Sequence, residues 1–429
     1  MSIKLLILPI HLYEYKYLPD VTDIVIWEHP HYFKKYIYNK KKLLLHKASL
    51  YYYKEYLSKK YNVTYVTYDK KPNLKNYMVF NPVDKIDLPK NARILESPNF
   101  LLTIDQYNQY REKTDKFFFN AFYMWAKKEL DILPNVKSTD KENRNKMPNN
   151  VVIPDVPSNK NDMKYINKMI DVINSEFENN YGDTDDFIFP VTHSTAKKWL
   201  KDFVKYKLNN FGKYQDAIKK DQPYLNHSLL SSSLNIGLLH PSDVIDEVIK
   251  QRTSMNNKEG LIRQLFWREY QHYTYLYFNF NGNYFGNKKK LSDKWYNGTT
   301  GFDPIDDSIN IAFKTGYLHH IIRLMVIGNF MNLNSINPKE GFKWFMEFSI
   351  DSYEWVMHQN VYEMVFFISG GGTMRRPYIT SSNYIKKMSD YKTGDWSKKW
   401  DNLYSNFLEK NKEKLYKFRY YFPGLKKIK

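Results

Sequence analysis

The chain has 429 residues, with 65 Lys+Arg against 46 Asp+Glu, a formal net charge of +19 and 42% hydrophobic residues. That apolar content excludes a disordered chain and suffices for about two or three domains, and the lack of any cysteine excludes a disulfide framework, a thiolate nucleophile and cysteine-held zinc or iron–sulfur centres. The cationic excess points to a polyanionic partner, nucleic acid before a membrane surface. No apolar run reaches the length of a membrane span, and the opening MSIKLLILPIHLYEYK is too polar for a secretory signal, so a soluble intracellular protein is expected.

In chain order, Ile3–Ile10 and Asp23–Trp27 read as buried strands. Lys40 to about Lys60 reads as a helix, and Val63–Tyr68, Tyr77–Phe80 and Arg93–Glu96 read as further strands. Strands alternating with helical patterns predict a parallel, Rossmann-like α/β sheet over roughly 1–110, within a first domain of 1–134. No G-x-G-x-x-G run follows a strand. The polar, proline-marked stretch that begins near Asn135 opens a connector assigned to 135–190. Beyond it, helical patterns dominate: Ser194–Leu208, Ser242–Arg252, Lys258–Phe278, Asp307–Met331 and Pro338–Met357. The expected architecture is an α/β domain followed by a larger all-α domain over 191–429. The segment from Lys386 onward carries thirteen Lys/Arg against five Asp/Glu, which fits either a solvated, frayed tail or a phosphate-attracting flank.

Four segments of the helical region carry chemistry-bearing residues. The run from His227 to Gly237, HSLLSSSLNIG, offers hydroxyl donors and a turn suited to a diphosphate, although serine-rich turns are common. The segment Ile262–Tyr270 sets Trp267 among Arg263, Arg268 and Glu269, a pattern that also suits an ordinary core anchor. His319 and His320 lie four and three residues before Arg323 and so share a helix face with it. A cation beside an imidazole lowers its pKa and organises a pocket for an anion or polarised carbonyl, but satisfied core histidines give the same pattern. Trp344 and Trp355, 11 residues apart, fall on one face of a single predicted helix; they can pack a core or relay an electron.

The order of these motifs resembles the photolyase/cryptochrome superfamily, and most closely its prokaryotic (6-4) photolyase-related branch. The resemblance is carried by His227–Ser231, Leu234–Leu239, the RQLFWREY run from Arg263, His319–Phe330, Asp351–Val356, Arg376–Tyr378, Tyr384–Tyr391 and the DKENR run Asp140–Arg144. It covers the chain from about residue 3 to residue 410. What it implies is an α/β antenna-type domain, then a helical domain holding FAD. Reduced flavin would absorb light and pass an electron to a UV-fused pyrimidine pair flipped out of DNA. The implied activity is a DNA photolyase for (6-4) photoproducts. The alternatives are a cyclobutane pyrimidine dimer photolyase and a cryptochrome-like blue-light receptor without repair activity. Its implied partner is UV-damaged DNA, with the protein a monomer and no membrane involved.

By the same resemblance, His227, Ser228, Leu230 and Ser231 would line the FAD phosphates and ribose. Arg263, Trp267 and Glu269 would lie along the flavin cavity, and Arg323, Asn329 and Asp351 near the ring. His319 and His320 would face the lesion, one as proton donor, beside Tyr378 and Tyr384. Trp344 would be the relay tryptophan nearest the flavin, with Trp355 as a second candidate. The branch's four cluster-binding cysteines are missing; Pro304, Lys392, Asp395 and Leu408 stand at the matching places, so packing around Trp396, Trp400, Leu403 and Phe407 is expected instead of an iron–sulfur cluster. Phe345 stands where a tyrosine is usual, Tyr296 where a tryptophan is usual, and Met357 where an acid is usual. Leu8–Leu12, LPIHL, departs from the branch's L-G-D-Q-L signature. This weighs against a lumazine-type antenna chromophore, although Glu28 is kept.

Overall fold

Five short strands, β1 (Lys4–Ile7), β2 (Asp23–Trp27), β3 (Asn62–Val66), β4 (Tyr77–Phe80) and β5 (Ala92–Leu95), form one parallel sheet in the order β3-β2-β1-β4-β5. The computed structural model describes residues 3–422 and 424–425. Central β1 is covered on both faces, which is why Leu5, Leu6 and Ile7 are fully buried and the strand reads as an unbroken apolar run. It stops at Ile7 rather than Ile10, because Pro9 has no N–H to give a ladder. The helix Lys40–Leu57 is started by Asn39, whose side chain accepts the Lys41 N–H at 2.9 Å.

The strand order reverses between β1 and β4, the usual crevice of such sheets. Here the loops beyond both strands bond to the helical region. Leu12 N–H donates to Ile236 O at 2.9 Å, Asp84 Oδ1 accepts the Trp355 N–H at 2.8 Å, and Tyr275 accepts the Lys85 N–H at 3.2 Å. Glu28 is buried and committed to Lys47 Nζ, the Tyr65 hydroxyl and the Tyr68 N–H.

Residues 135–162 run with short 3-10 turns, as their composition predicts, but 135–190 also contains the helix Met163–Glu176, which packs along Lys40–Leu57. The remaining chain is helical, with His193–Tyr206, Pro241–Lys250 and Met255–Tyr277 close to their predicted bounds. Two expected helices are broken. Asp307–Met331 divides into Asp303–Thr315 and a π-helical stretch Ile322–Gly328 that continues as Asn329–Leu333. Gly316 closes the first with φ +67°, the left-handed region open to glycine. Pro338–Met357 divides into Pro338–Phe348 and Glu354–Met357, the latter continuing as the π-helical stretch His358–Val365; extended Ser349 separates them, and Ile350 N–H bonds to Gly316 O at 2.9 Å. Trp344 and Trp355 therefore sit on different helices, not on one face of a single helix. Periodicity missed both breaks because the segments that follow them, Ile322–Gly328 with Asn329–Leu333 and Glu354–Met357, are buried on almost every side and show no polar face to mark a new start.

Where the resemblance leads one to expect four cysteines, an aromatic cluster fills the space. Trp400 is fully buried, stacks on Phe330 with centroids 5.2 Å apart and donates its indole N–H to Thr380 O at 3.1 Å; Phe407 meets Phe285 at 5.0 Å. Among the described residues no helix is long and apolar enough to cross a membrane.

Candidate functional site

The helical region, together with Phe119 and Tyr123 of the helix Phe119–Glu129 and Asp140 and Arg144 of the connector, lines an open cavity of about 1130 Å3. That is just above the range for pockets holding a drug-sized ligand, about 300–1,000 Å3. Its wall carries seven cationic side chains, Lys141, Arg144, Arg263, Arg323, Arg375, Arg376 and Lys387, against three carboxylates, Asp140, Asp216 and Asp351. The ligand it suits is large and anionic.

On one side, Asp351 is held by three donors: Arg323 Nη2 at 2.9 Å, the Ser231 hydroxyl at 2.7 Å and the Ser349 hydroxyl at 2.5 Å. Burial alone would raise the Asp351 pKa, but the Arg323 guanidinium and the two hydroxyls outweigh it and hold the carboxyl below its ordinary range. The π-helical Ile322–Gly328 and His358–Val365 stretches lie side by side here, and such distortions of the α-helical ladder are frequent at functional sites. Arg323 anchors its own turn by donating Nε–H to Leu318 O at 2.6 Å.

A histidine wall follows. His227 Nε2 contacts Gln215 O at 3.1 Å, while its Nδ1 has no protein partner. His319 stacks on it, and neither ring nitrogen of His319 has a protein partner. Burial holds His227 at about 4 and pushes His319 well below the usual imidazole range, with the neighbouring His227, His320 and Arg323 adding to the effect. Both rings are neutral at physiological pH. His320 differs: its side chain is 38% exposed and its Nε2 lies 3.2 Å from Asp216 Oδ1.

The mouth is aromatic and basic. Half-buried Trp267 stacks face to face on Phe119, with centroids 3.7 Å apart and planes at 11°. Half-buried Tyr378 and Tyr384 line it with Arg144, Arg375, Arg376 and Lys387. Arg263 reaches the connector, where Nη2 meets Asp140 Oδ1 at 2.8 Å.

Of the residues expected at the site, His227, Ser228, Ser231, Arg263, Trp267, His319, His320, Arg323, Asp351, Tyr378 and Tyr384 all line this cavity. Leu230, Glu269, Asn329, Trp344 and Trp355 do not. Leu230 is buried outside it, beside Leu229, whose φ of +55° turns the chain into the helix Ser231–Ile236. Glu269 accepts the Tyr107 hydroxyl at 2.9 Å and the Leu102 N–H at 3.2 Å, and so ties the helical region to the segments that follow the sheet. The helix geometry explains this: Arg263 and Trp267 are four residues apart and share a face, whereas Glu269 is rotated about 200° from Trp267. Asn329 is fully buried and bonds Thr380 through Nδ2 at 2.9 and 3.0 Å, fixing the segment that carries Tyr378.

Trp344 lies behind cavity-lining Phe345, donates its indole N–H to Trp295 O at 2.7 Å, and contacts Phe313 at 5.7 Å. Phe313 in turn meets Tyr181 and Tyr296, which stack on each other. Trp355 faces Phe100 and Arg268 instead. Sequence reading missed Asp216 and Gln215, which carry no motif; Asp140, Lys141 and Arg144 belong to the DKENR run that carries the resemblance, but the sequence places that run in the connector and not at the site.

The donors fit a flavin dinucleotide in kind: a cationic excess for phosphates, unpartnered buried imidazole nitrogens, and a guanidinium–carboxylate pair for a polar heterocycle. Residues 261–412 match the family described as the FAD binding domain of DNA photolyase, and residues 79–189 match deoxyribodipyrimidine photo-lyase-related protein. The chain is 37% identical over 270 residues to a (6-4) photolyase of Agrobacterium fabrum (strain C58 / ATCC 33970), a match spanning 59% of this chain and 53% of that relative. The fold is similar to a bacterial class III photolyase from Agrobacterium tumefaciens (TM-score 0.55, 14% identity, 90% of this chain and 86% of that one). It is also similar to the cryptochrome of Synechocystis sp. PCC6803 (TM-score 0.57, 15% identity, 96% and 89%).

Proposed function

We propose that this chain, with its matches to two photolyase family models and 37% identity over 270 residues to a (6-4) photolyase, is a member of the photolyase/cryptochrome superfamily and a light-driven, FAD-dependent DNA photolyase whose substrates are UV-induced pyrimidine lesions, (6-4) photoproducts foremost. The observation that carries this reading is the pairing of a half-exposed imidazole with a carboxylate, His320 with Asp216, beside the neutral His319 on the wall of a large cationic cavity. FAD held in that cavity in its reduced form would supply the photoexcited electron for the lesion.

The chain's own residues do the rest. Ser228, Ser231, His227 and Arg263 would hold the phosphates and ribose, and the Arg323–Asp351 pair would orient the ring system. The basic mouth neutralises DNA phosphates. Trp267 on Phe119 offers a flat face to the extruded bases, whose removal from the stack is needed for contact with a buried ring. His320 donates the proton that must accompany electron arrival at a (6-4) product; Asp216, 3.2 Å away, orients its ring, and His319 supplies a neutral hydrogen-bonding partner. Trp344 relays electrons inward, from the Tyr181–Tyr296 stack toward Phe345 and the cavity. In this reading 1–134 is the antenna-type domain, 135–190 the connector and 191–429 the FAD-binding domain, and the protein acts as a monomer wherever the DNA is.

A cryptochrome-like light sensor is the second reading, favoured by Phe345 and Tyr296 at relay positions. The test is illumination of photoreduced, FAD-loaded protein with oligonucleotides bearing one (6-4) product or one cyclobutane dimer. We expect restoration of the (6-4) substrate in light and none in darkness. Restoration of only the dimer would move the substrate class. Reversal of neither lesion removes the photolyase reading.

A further inference from the structure

The last described turn, Tyr416–Tyr421, is built in a way that packing alone does not require. Leu415, Phe418 and Phe422 are buried and fasten it to the body, Phe418 edge-on to Phe367 at 5.3 Å. Lys417 Nζ donates to Gly370 O at 2.9 Å, which couples the turn to the glycine loop ahead of Arg375 and Arg376. From this anchored base three tyrosines face outward, Tyr416, Tyr420 and Tyr421, with exposures of 60%, 74% and 50%. Arg419 lies over the rings of both Tyr416 and Tyr420, at 4.5 and 4.8 Å, and Arg376 lies over Tyr421 at 4.8 Å. Tyr421 also lines the cavity mouth. At about 2.0 Å rise per residue, Tyr416 stands about 10 Å from Tyr421 along the axis of the turn.

Guanidinium planes interleaved with exposed rings are the chemistry that holds unstacked bases: each ring offers a sequence-tolerant π-face and each cation draws the backbone. An intact duplex presents no base face to such rings. We propose that Tyr416–Tyr421 is a docking shelf for single-stranded DNA, which stacks the bases left unpaired beside the cavity mouth once a damaged pair leaves the helix. The proposal rests on the reading of the protein as one that acts on DNA, and it adds a site to it.

The test uses the full chain with FAD, and fluorescence anisotropy with two duplexes of one sequence, one intact and one with a short unpaired bubble, across a salt series. In the Tyr416→Ala/Tyr420→Ala variant, bubble affinity should fall by at least about 5- to 150-fold, the range expected for loss of a single base–aromatic stack. Intact-duplex affinity and the salt slope should stay the same, because no cation is removed. Tyr416→Phe/Tyr420→Phe, which keeps the rings, should bind the bubble as the natural chain does. Equal bubble binding by the alanine variant and the natural chain, including the case where the tyrosines serve a protein partner instead, overturns the shelf and leaves the photolyase reading standing. A natural chain that binds neither duplex overturns the DNA reading itself.

Discussion

The imidazole of His319 stacks on that of His227, ring centroids 4.5 Å apart and planes 25° from parallel. Two buried imidazoles this close cannot both carry charge, and burial keeps each neutral. The twin histidines of the sequence therefore have unequal roles. His319 belongs to the cavity wall, and His320, turned toward Asp216, is the one placed to carry a proton.

From this asymmetry, His320→Ala should lower (6-4) repair by about 10²- to 10⁴-fold, the usual worth of a general acid. The flavin absorption spectrum should stay intact. Asp216→Asn, which keeps the shape but loses the charge, should give a smaller loss. Repair at the natural rate in both variants rules out the assignment.

Breaking the Arg323–Asp351 pair should weaken both cofactor retention and the fold. Truncating one partner of a buried ion pair costs about 3–5 kcal/mol, so Arg323→Ala should purify with reduced FAD content and a lower melting temperature. The readouts are the absorbance ratio of flavin to protein and a thermal melt. Full FAD content would show that the pair has no part in the cofactor site.

Acid should destabilise the protein well above carboxylate pKa values. Burial holds His227 at about 4 and His11, His46 and His272 at about 3, against about 6.5 for an unfolded imidazole. Above pH 6.5 these groups are neutral in both states and stability is flat with respect to them. As pH falls below 6.5 the unfolded chain takes up protons that the folded chain refuses, so stability drops continuously toward pH 4. His227 alone contributes about 3 kcal/mol to that loss. Melting curves at pH 7.5 and 4.5 measure it, and equal midpoints would contradict the burial of these rings.

Trp344→Phe should slow light-driven reduction of bound oxidised FAD by an external thiol by at least about tenfold, since its indole is the oxidisable ring behind Phe345. Trp355→Phe should leave the rate near normal, because that ring faces Phe100 and Arg268. Transient absorption separates the two outcomes; equal effects would mean that Trp344 has no special place in the relay.

Much of this molecule was legible in its residues. Strand and helix periods located the sheet and most of the helical region. The ordered motifs collected eleven of the expected side chains into one cavity, because residues four apart on a helix, such as Arg263 and Trp267, must share a face whatever surrounds them. Local pattern could not reveal the break at Gly316 or the extended chain at Ser349, since the helical segments that follow each are buried almost all round and have no polar face against which to see a register change. It also could not show that Glu269 bonds Tyr107 and Leu102, or that Asp216 meets His320 from 104 residues away. Those pairings depend on which segments pack together, a matter of long-range apolar burial. Composition and spacing thus determined the architecture and the kinds of groups at the site, and tertiary packing alone decided which imidazole is neutral and which is matched with a carboxylate.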